Sequence, residues 1–303
     1  MTIDKADAIR AFIRQVDSAP GDAINREAAR LGTVDKDHAL KYGAMIIEES
    51  KLEHPNLFRV KELISNGADL NARDPEGNTS LIYACVSGNL EIAELLLKSG
   101  ADLNVQNERG IKALTMASLR KYTEVVKLML DNGADVNLQD DQGCTALICA
   151  AIAGGSEIAK ILIDRGAKPD IQINHGETAL MFAAEVDSFE IAEMLLKTHA
   201  VDLNHKSVEG KTPLIVAAEK GNAIIVELLM RSGADGNFRG KDGCTALMRA
   251  AANNHGDAVE TLLSWRVDLD CKNDEGKTAM DCTDNKNIKI QIKRAARFEE
   301  DGK

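Results

Sequence analysis

The chain has 303 residues, of which 44% are hydrophobic and 28% charged, and its formal net charge is -11. This composition is too apolar for a disordered chain and is typical of a protein with a sizeable core. Lys and Arg number 37 against 48 Asp and Glu, and only 3% of the residues are aromatic, so binding to nucleic acid or to an anionic membrane surface is disfavoured.

Charged residues interrupt the beginning of the chain. Asp4, Lys5 and Asp7 break any apolar stretch, so no signal-peptide core is expected there. No run approaches the roughly 18 apolar residues that a membrane span needs. The six cysteines are spread along the chain without dense spacing, which favours free thiols in a reducing compartment. The sequence therefore predicts a cytoplasmic or nuclear protein.

Residues 1–34 are predicted to form a helical cap. Ile9, Phe12 and Val16 follow helical spacing, and a Pro-Gly pair ends this stretch. Residues 23–31 form a second predicted helix. This helix pair is expected to cover the first structural repeat.

A glycine recurs along most of the chain at intervals of 33 residues, with one interval of 34. It occupies Gly77, Gly110, Gly143, Gly176, Gly210, Gly243 and Gly276. Two residues after it stands a Thr, replaced once by Lys112, and two residues further a Leu, replaced once by Met280. A Gly-Ala-Asp run recurs in phase with these marks, at Gly67, Gly100, Gly133 and Gly233. Three marks in phase over this length indicate a structural repeat.

Each repeat is predicted to hold two helices. The Thr suits a helix N-cap, and Pro213 after Thr212 fits the first helical position. Gly88, Gly154 and Gly221 are expected to end the first, Ala-rich helix in the left-handed conformation. The second helix carries apolar residues at helical spacing and ends at the Gly of Gly-Ala-Asp. A unit of this size cannot bury its own apolar face, so the repeats are expected to stack.

The period, the Thr-x-Leu-x-x-Ala core and the Gly-Ala-Asp-x-Asn run resemble those of ankyrin-repeat proteins. The resemblance implies an all-α solenoid of stacked helix-turn-helix units, with short β-hairpin or turn connections and helical caps. It places a divergent first repeat at 35–73, and a truncated repeat with a capping helix at 273–303. Six full repeats lie between them, at 74–106, 107–139, 140–172, 173–206, 207–239 and 240–272.

The chain departs from the family pattern at several positions. The His of the family's Thr-Pro-Leu-His is replaced by Ile82, Thr115, Ile148, Met181, Ile215 and Met248. Lys121, Asp187 and Arg266 stand where glycines end helices in other repeats, so local strain is expected there. An extra residue after Thr198 is expected to offset one connection between repeats.

The last predicted helix is amphipathic and basic. Ile288, Ile292 and Ala295 share one face, and lysines and arginines occupy the others. A capping helix with a solvated outer face is favoured. A nuclear-localisation or calmodulin-binding segment is the alternative.

No catalytic, cofactor-binding or metal-binding motif is recognised. The six histidines lie outside the spacings of zinc motifs, and turns and caps explain the glycines. Cys85 and Cys149 fall at core positions of predicted helices, where thiols are usually inert. A non-catalytic protein with no cofactor and no metal is therefore predicted. An enzyme that uses a Cys-His pair is the alternative from another functional class.

The resemblance implies a partner protein bound on the first helices and the turns of the repeats. Carried onto this sequence, the apolar part of that surface consists of Val86, Leu119, Ile152, Ile111 and Cys144. Its acidic part consists of Glu177, Glu185, Glu209 and Glu219. The turn edges contribute Arg73, Gln106, Gln139, Gln172, Lys206 and Arg239. The partner is expected to combine apolar anchors with basic flanks.

On this interpretation the chain acts as a monomeric scaffold for protein–protein interaction. A bacterial or protozoan effector that uses the same surface in a host cytosol is the alternative, suggested by the Thr-Ala-Leu-Met style of the repeats. Fold resemblance supports either function only weakly, because function resides in the site and not in the scaffold.

Overall fold

The described part of the chain is built of helices. A computed structural model describes residues 34–52 and 54–301. The N-terminal cap predicted from Ile9, Phe12 and Val16 lies outside the described residues. Within them there are fifteen helices and no β-strand, so the all-α prediction is confirmed.

The chain divides after Asp141 into two units. The described part of the first contains α1 (Val34–Lys51), α2 (Leu57–Ser65), α3 (Ser80–Ser87), α4 (Leu90–Lys98), α5 (Ala113–Leu119) and α6 (Thr123–Asp131). The described part of the second contains α7 (Ala146–Ala153), α8 (Ser156–Asp164), α9 (Ala179–Glu185), α10 (Phe189–Lys197), α11 (Pro213–Lys220), α12 (Ala223–Arg231), α13 (Ala246–Ala252), α14 (Gly256–Ser264) and α15 (Lys286–Asp301).

Each unit packs its helices in two rows. In the first unit, α3 packs between α1 and α5, and α4 contacts α2 and α6. In the second unit, α7, α9, α11 and α13 pack in sequence, as do α8, α10, α12 and α14. We call the first helix of each pair inner and the second outer. Because every inner helix also packs against its own outer helix, the apolar faces of both rows are buried between them.

Five of the inner helices have a threonine as their N-cap residue. The hydroxyl of each accepts a hydrogen bond from the backbone N–H three residues on, at 3.3–3.4 Å. They are Thr79, Thr145, Thr178, Thr212 and Thr245. Lys112 occupies this place before α5, and there the hydroxyl of Thr115 accepts from the Lys112 N–H at 3.3 Å. The N-cap prediction is confirmed for these five threonines and is wrong for Thr278, which no inner helix follows.

Five non-glycine residues among those described have a left-handed backbone. Lys121 (φ 62°), Asp187 (58°) and Arg266 (54°) are the three predicted from missing glycines. Asn254 (64°) and His199 (52°) adopt the same conformation at further glycine positions of the repeat. An L-residue in this region costs about 1–2 kcal/mol, and less for Asn or Asp. The strain predicted at the glycine replacements is therefore confirmed, at two more positions than expected.

The extra residue after Thr198 shifts one connection, as predicted. After α4, the N–H of Ala101 donates to the Leu96 carbonyl at 2.9 Å, and the Ala101 side chain is buried. The N–H of Ala200 donates instead to the Thr198 hydroxyl at 3.3 Å, and Ala200 is exposed. The hydrogen bonding and the burial of this connection thus differ from those after α4.

The connections that follow the outer helices are turns. The described residues hold one isolated β-bridge, between Gln172 and Thr178, so of the predicted hairpin or turn connections the structure has turns. Backbone hydrogen bonds join successive turns within a unit. One runs from the Val208 N–H to the His175 carbonyl at 2.8 Å.

The residues at the family's His position are buried. The six residues there are Ile82, Thr115, Ile148, Met181, Ile215 and Met248, each with 1–4% of its surface exposed. Five of the six are Ile or Met. These side chains therefore add to the apolar core of the repeats.

The C-terminal helix α15 caps the second unit. It packs on α14 and buries Ile288 and Ile292, as predicted. The truncated repeat before it has no inner helix. Asp281 instead accepts hydrogen bonds from the N–H and the hydroxyl of Thr278, at 3.0 and 2.8 Å. These bonds close a turn where the other repeats begin a helix.

Candidate partner-binding surface

In the first unit, the predicted apolar surface is partly accessible. Val86 and Leu119 occupy equivalent positions on α3 and α5, and each is partly exposed. Ile111, in the turn before α5, is also partly exposed. Because packed helices lie about 8–10 Å apart, side chains from α3 and α5 can contact a single bound segment.

In the second unit, the expected exposure of Ile152 and Cys144 is wrong. Ile152 is 7% exposed and Cys144 is 3% exposed. The helix that carries Ile152, α7, has the sequence ALICAAIA and buries seven of its eight residues. It packs on α9, where the small Ala183 and Ala184 allow close approach. These two side chains therefore belong to the core.

The predicted acidic part of the surface is largely neutralised by lysines. Lys220 Nζ lies 2.9 Å from Glu185 Oε1, which joins α11 to α9. Lys211 Nζ lies 2.8 Å from Glu219 Oε2 and 3.6 Å from Glu209 Oε2. Neither ion pair follows from the sequence pattern, although Lys220 is adjacent to Glu219 and Lys211 is two residues from Glu209. The surface presents ion pairs of mixed charge, and Glu177 is partly buried before α9.

The turn-edge residues are accessible, as expected for their position. Arg73, Gln106, Gln139, Gln172, Lys206 and Arg239 are all exposed. In the second unit, Lys206, Arg239 and Lys241 line a cavity of about 280 Å³ between two turns. Arg239 is held there by Asp274, with Nη2 at 3.1 Å from Oδ1. This edge of the second unit is therefore basic.

Comparison with known proteins agrees with this arrangement of helices and turns. The family model described as ankyrin repeats (3 copies) matches residues 46–107, 114–207 and 180–273, which is more than half of the chain. The chain belongs to the ankyrin-repeat family. No curated protein matches it. Among solved structures, it is similar to the crystal structure of the human ASB11 ankyrin repeat domain, with 26% identity and a TM-score of 0.66. That alignment covers 74% of this chain and 98% of the other.

Ankyrin repeats are in general protein–protein interaction modules and typically non-catalytic. The thiols of this member agree with that character. All six cysteines are free, and Cys85 is fully buried, with Sγ 3.8 Å from Met129 Sδ. Burial raises the pKa of Cys85 above its ordinary value, and it is also the main reason that the pKa values of Cys244, Cys271 and Cys282 are raised. Since the thiolate is the nucleophile, these environments do not activate a cysteine.

In the described part of the chain, the His, Cys, Asp and Glu side chains form no group of three or more that could hold a metal ion. None of the helices there is both long enough and apolar enough to span a bilayer.

Proposed function

We propose that this ankyrin-repeat protein is a non-catalytic interaction module that binds another protein on its inner helices and turns. One observation carries the proposal: Val86, Ile111 and Leu119 are partly exposed apolar side chains on one face of the first unit. Because these side chains are only partly buried, polar residues there are expected to cost the fold about 1 kcal/mol or less each. Clustered exposed apolar side chains on a soluble protein often mark a partner site.

The partner is expected to supply an apolar anchor for this cluster. Burial of apolar surface contributes about 25 cal/mol per Å², so a single well-seated Leu or Phe contributes about 1.5–3 kcal/mol. A few such side chains usually provide most of the binding free energy of an interface. We therefore expect affinity to depend on the first unit's Val86 and Leu119.

Charged residues of the second unit are expected to contribute less to affinity. A basic flank of the partner would have to displace Lys220 from Glu185, or Lys211 from Glu219. Exchange of one exposed ion pair for another yields little free energy. The basic flanks predicted from the sequence would then influence the association rate and its salt dependence more than the affinity.

The experiment compares the intact protein with a Val86→Ser and Leu119→Ser double variant. Each protein is immobilised, and the proteins that it binds from a native lysate are identified by mass spectrometry. The affinity of each identified partner is then measured with purified proteins. The proposal expects loss of the main partner with the unfolding midpoint nearly kept. Phe58→Ser is the control, because Phe58 is apolar and 77% exposed outside this cluster. Unchanged binding by the double variant would refute the assignment.

We also propose a cytoplasmic or nuclear location. The six free cysteines support it, because free thiols persist in reducing compartments. Fractionation of cells that express the native protein tests this, and recovery from the secreted fraction would contradict it.

A further inference from the structure

The outer helices of the second unit carry an apolar groove that the proposed inner surface does not include. It lies between α10, α12 and α14 and has a volume of about 640 Å³. Phe189 and Ile224 line it, with 37% and 66% of their surfaces exposed. We call it the outer groove.

Ile224 differs in residue type from the equivalent residue of the other full repeats. The five full repeats other than its own have an acidic residue at this position of the outer helix: Glu91, Glu124, Glu157, Glu190 and Asp257. An acid in the first turn is favourable because it faces the positive end of the helix dipole. α12 is without an acidic residue in its first turn and exposes an isoleucine instead. This substitution brings no benefit to folding, so it indicates a surface used for contact.

Trp265, beside the same groove, also differs from the other repeats. In the other five full repeats the residue that follows the outer helix is polar: Ser99, Asn132, Arg165, Thr198 and Ser232. The indole of Trp265 is 39% exposed, and its Nε1–H donates to Glu227 Oε2 at 2.7 Å. Arg231 Nε donates to the other oxygen of the same carboxylate at 2.7 Å. The tryptophan ring is therefore held in place beside the groove while part of it faces solvent.

The charged residues that line the outer groove are mostly acidic. It includes Glu193, Glu227 and Glu260 against the single cation Arg231. Glu193 pairs with Lys197 at 2.9 Å, and Glu227 pairs with Arg231 at 2.7 Å. Among the described residues, Glu260 forms no ion pair. An unpaired carboxylate at the edge of an apolar groove is complementary to a Lys or Arg flanked by apolar side chains.

We propose that the outer groove is a second docking surface, which binds a segment of a partner protein with apolar side chains next to a Lys or Arg. The apolar side chains lie against Ile224 and Phe189, and the cation pairs with Glu260. An apolar centre with a polar rim is the usual composition of such sites. This surface lies on the outer row of helices, so one partner segment here leaves the inner helices free.

The probe is a phage-displayed library of random peptides, selected on the full chain. Enriched peptides are synthesised, and their binding is followed through the fluorescence of Trp265, the single tryptophan of the protein. We expect enriched sequences to combine Lys or Arg with aromatic or aliphatic residues. Their dissociation constants should rise about tenfold or more with Ile224→Glu and with Glu260→Lys. Ile224→Glu restores the residue type of the other repeats, so it is expected to fold.

Matched variants separate this surface from general effects of charge and from the inner surface. Glu94→Lys reverses a charge at the position equivalent to Glu260, and Phe58→Ser removes another exposed apolar side chain. Both variants, and Leu119→Ser, should bind the selected peptides like the parent chain. The proposal is overturned if no peptide is enriched or if the enriched peptides bind Glu260→Lys unchanged. It is also overturned if Ile224→Glu converts a dimer into a monomer in sedimentation, since the groove would then bind a second copy.

Discussion

Tyr83 donates its hydroxyl hydrogen to Asp74 Oδ2 across 2.6 Å, which ties the inner helix α3 to the turn before it. Asn78 Nδ2 donates to the Tyr83 oxygen at 3.2 Å, and Asn107 of the next turn donates to Asn78 Oδ1 at 2.9 Å. All four residues are buried. This network therefore fixes two successive turns of the first unit against α3.

Replacement of Tyr83 by Phe is expected to destabilise the protein at neutral pH. The Asp74 carboxylate would lose its shortest hydrogen bond inside a buried site, which costs about 1.5–3 kcal/mol. Thermal unfolding of the variant, followed by circular dichroism, should show a lowered midpoint. An unchanged midpoint would mean that water replaces the hydroxyl.

The effect of Tyr83→Phe is expected to depend on pH. Burial, and next the hydrogen bond to Asp74, raise the pKa of Tyr83 above its ordinary value of 10. The folded state thus favours the protonated phenol, and this contribution is complete below pH about 10 and is lost as pH rises further. The stability difference between parent and variant should be constant near neutrality and shrink above pH about 10. A difference that grows in that range would contradict the network.

Lys121→Gly is expected to stabilise the protein. Lys121 has a φ of 62°, which glycine adopts without strain. Relief of about 1–2 kcal/mol is partly offset by the greater freedom of glycine in the unfolded chain, which leaves a gain of about 0.5–1 kcal/mol. The midpoint of denaturant unfolding measures it. Gly154→Ala is the reverse control, because a Cβ there would meet nothing within 4 Å, and it should lower the midpoint by a similar amount.

Ile152→Ala and Leu119→Ser should separate core from surface. Ile152 is 7% exposed, so its truncation is expected to cost about 2–4 kcal/mol. Leu119 is partly exposed, and its replacement is expected to cost about 1 kcal/mol or less. Unfolding of both variants in parallel tests the contrast. Equal losses would place Leu119 in the core and remove it from the proposed surface.

Two of the six thiols are expected to react slowly in the folded protein. Cys271 and Cys282 are partly exposed, whereas Cys85, Cys144, Cys149 and Cys244 are buried. Because burial raises the pKa of Cys271 and Cys282, labelling by a disulfide reagent should be slow at pH 7 and accelerate with rising pH. One thiol that reacts at once at pH 7 would instead favour the enzyme alternative. The remaining four should react only in denaturant.

The helices and their ends could be predicted because they depend on neighbouring residues. A Thr before an apolar run caps the helix that follows, as Thr212 does, and a glycine such as Gly221 ends it. The same local rules identified Lys121 and Asp187 as residues in a left-handed backbone. The left-handed backbone of Asn254 and His199 was not predicted, although Asn254 stands 33 residues after Gly221; His199 lies in the offset connection.

Burial and charge pairing were decided by the tertiary structure alone. Leu119 and Ile152 hold the same position of the repeat, yet one is partly exposed and the other is core, because burial depends on the helices packed around each. The sequence predicts that Glu185 belongs to an acidic surface, but in the structure Lys220 of the next repeat forms an ion pair with it. The repeat and its backbone geometry are encoded within each stretch of about 33 residues. The surface that a partner meets depends on side chains that folding brings together from different repeats, so only the packed structure shows which of them remain accessible.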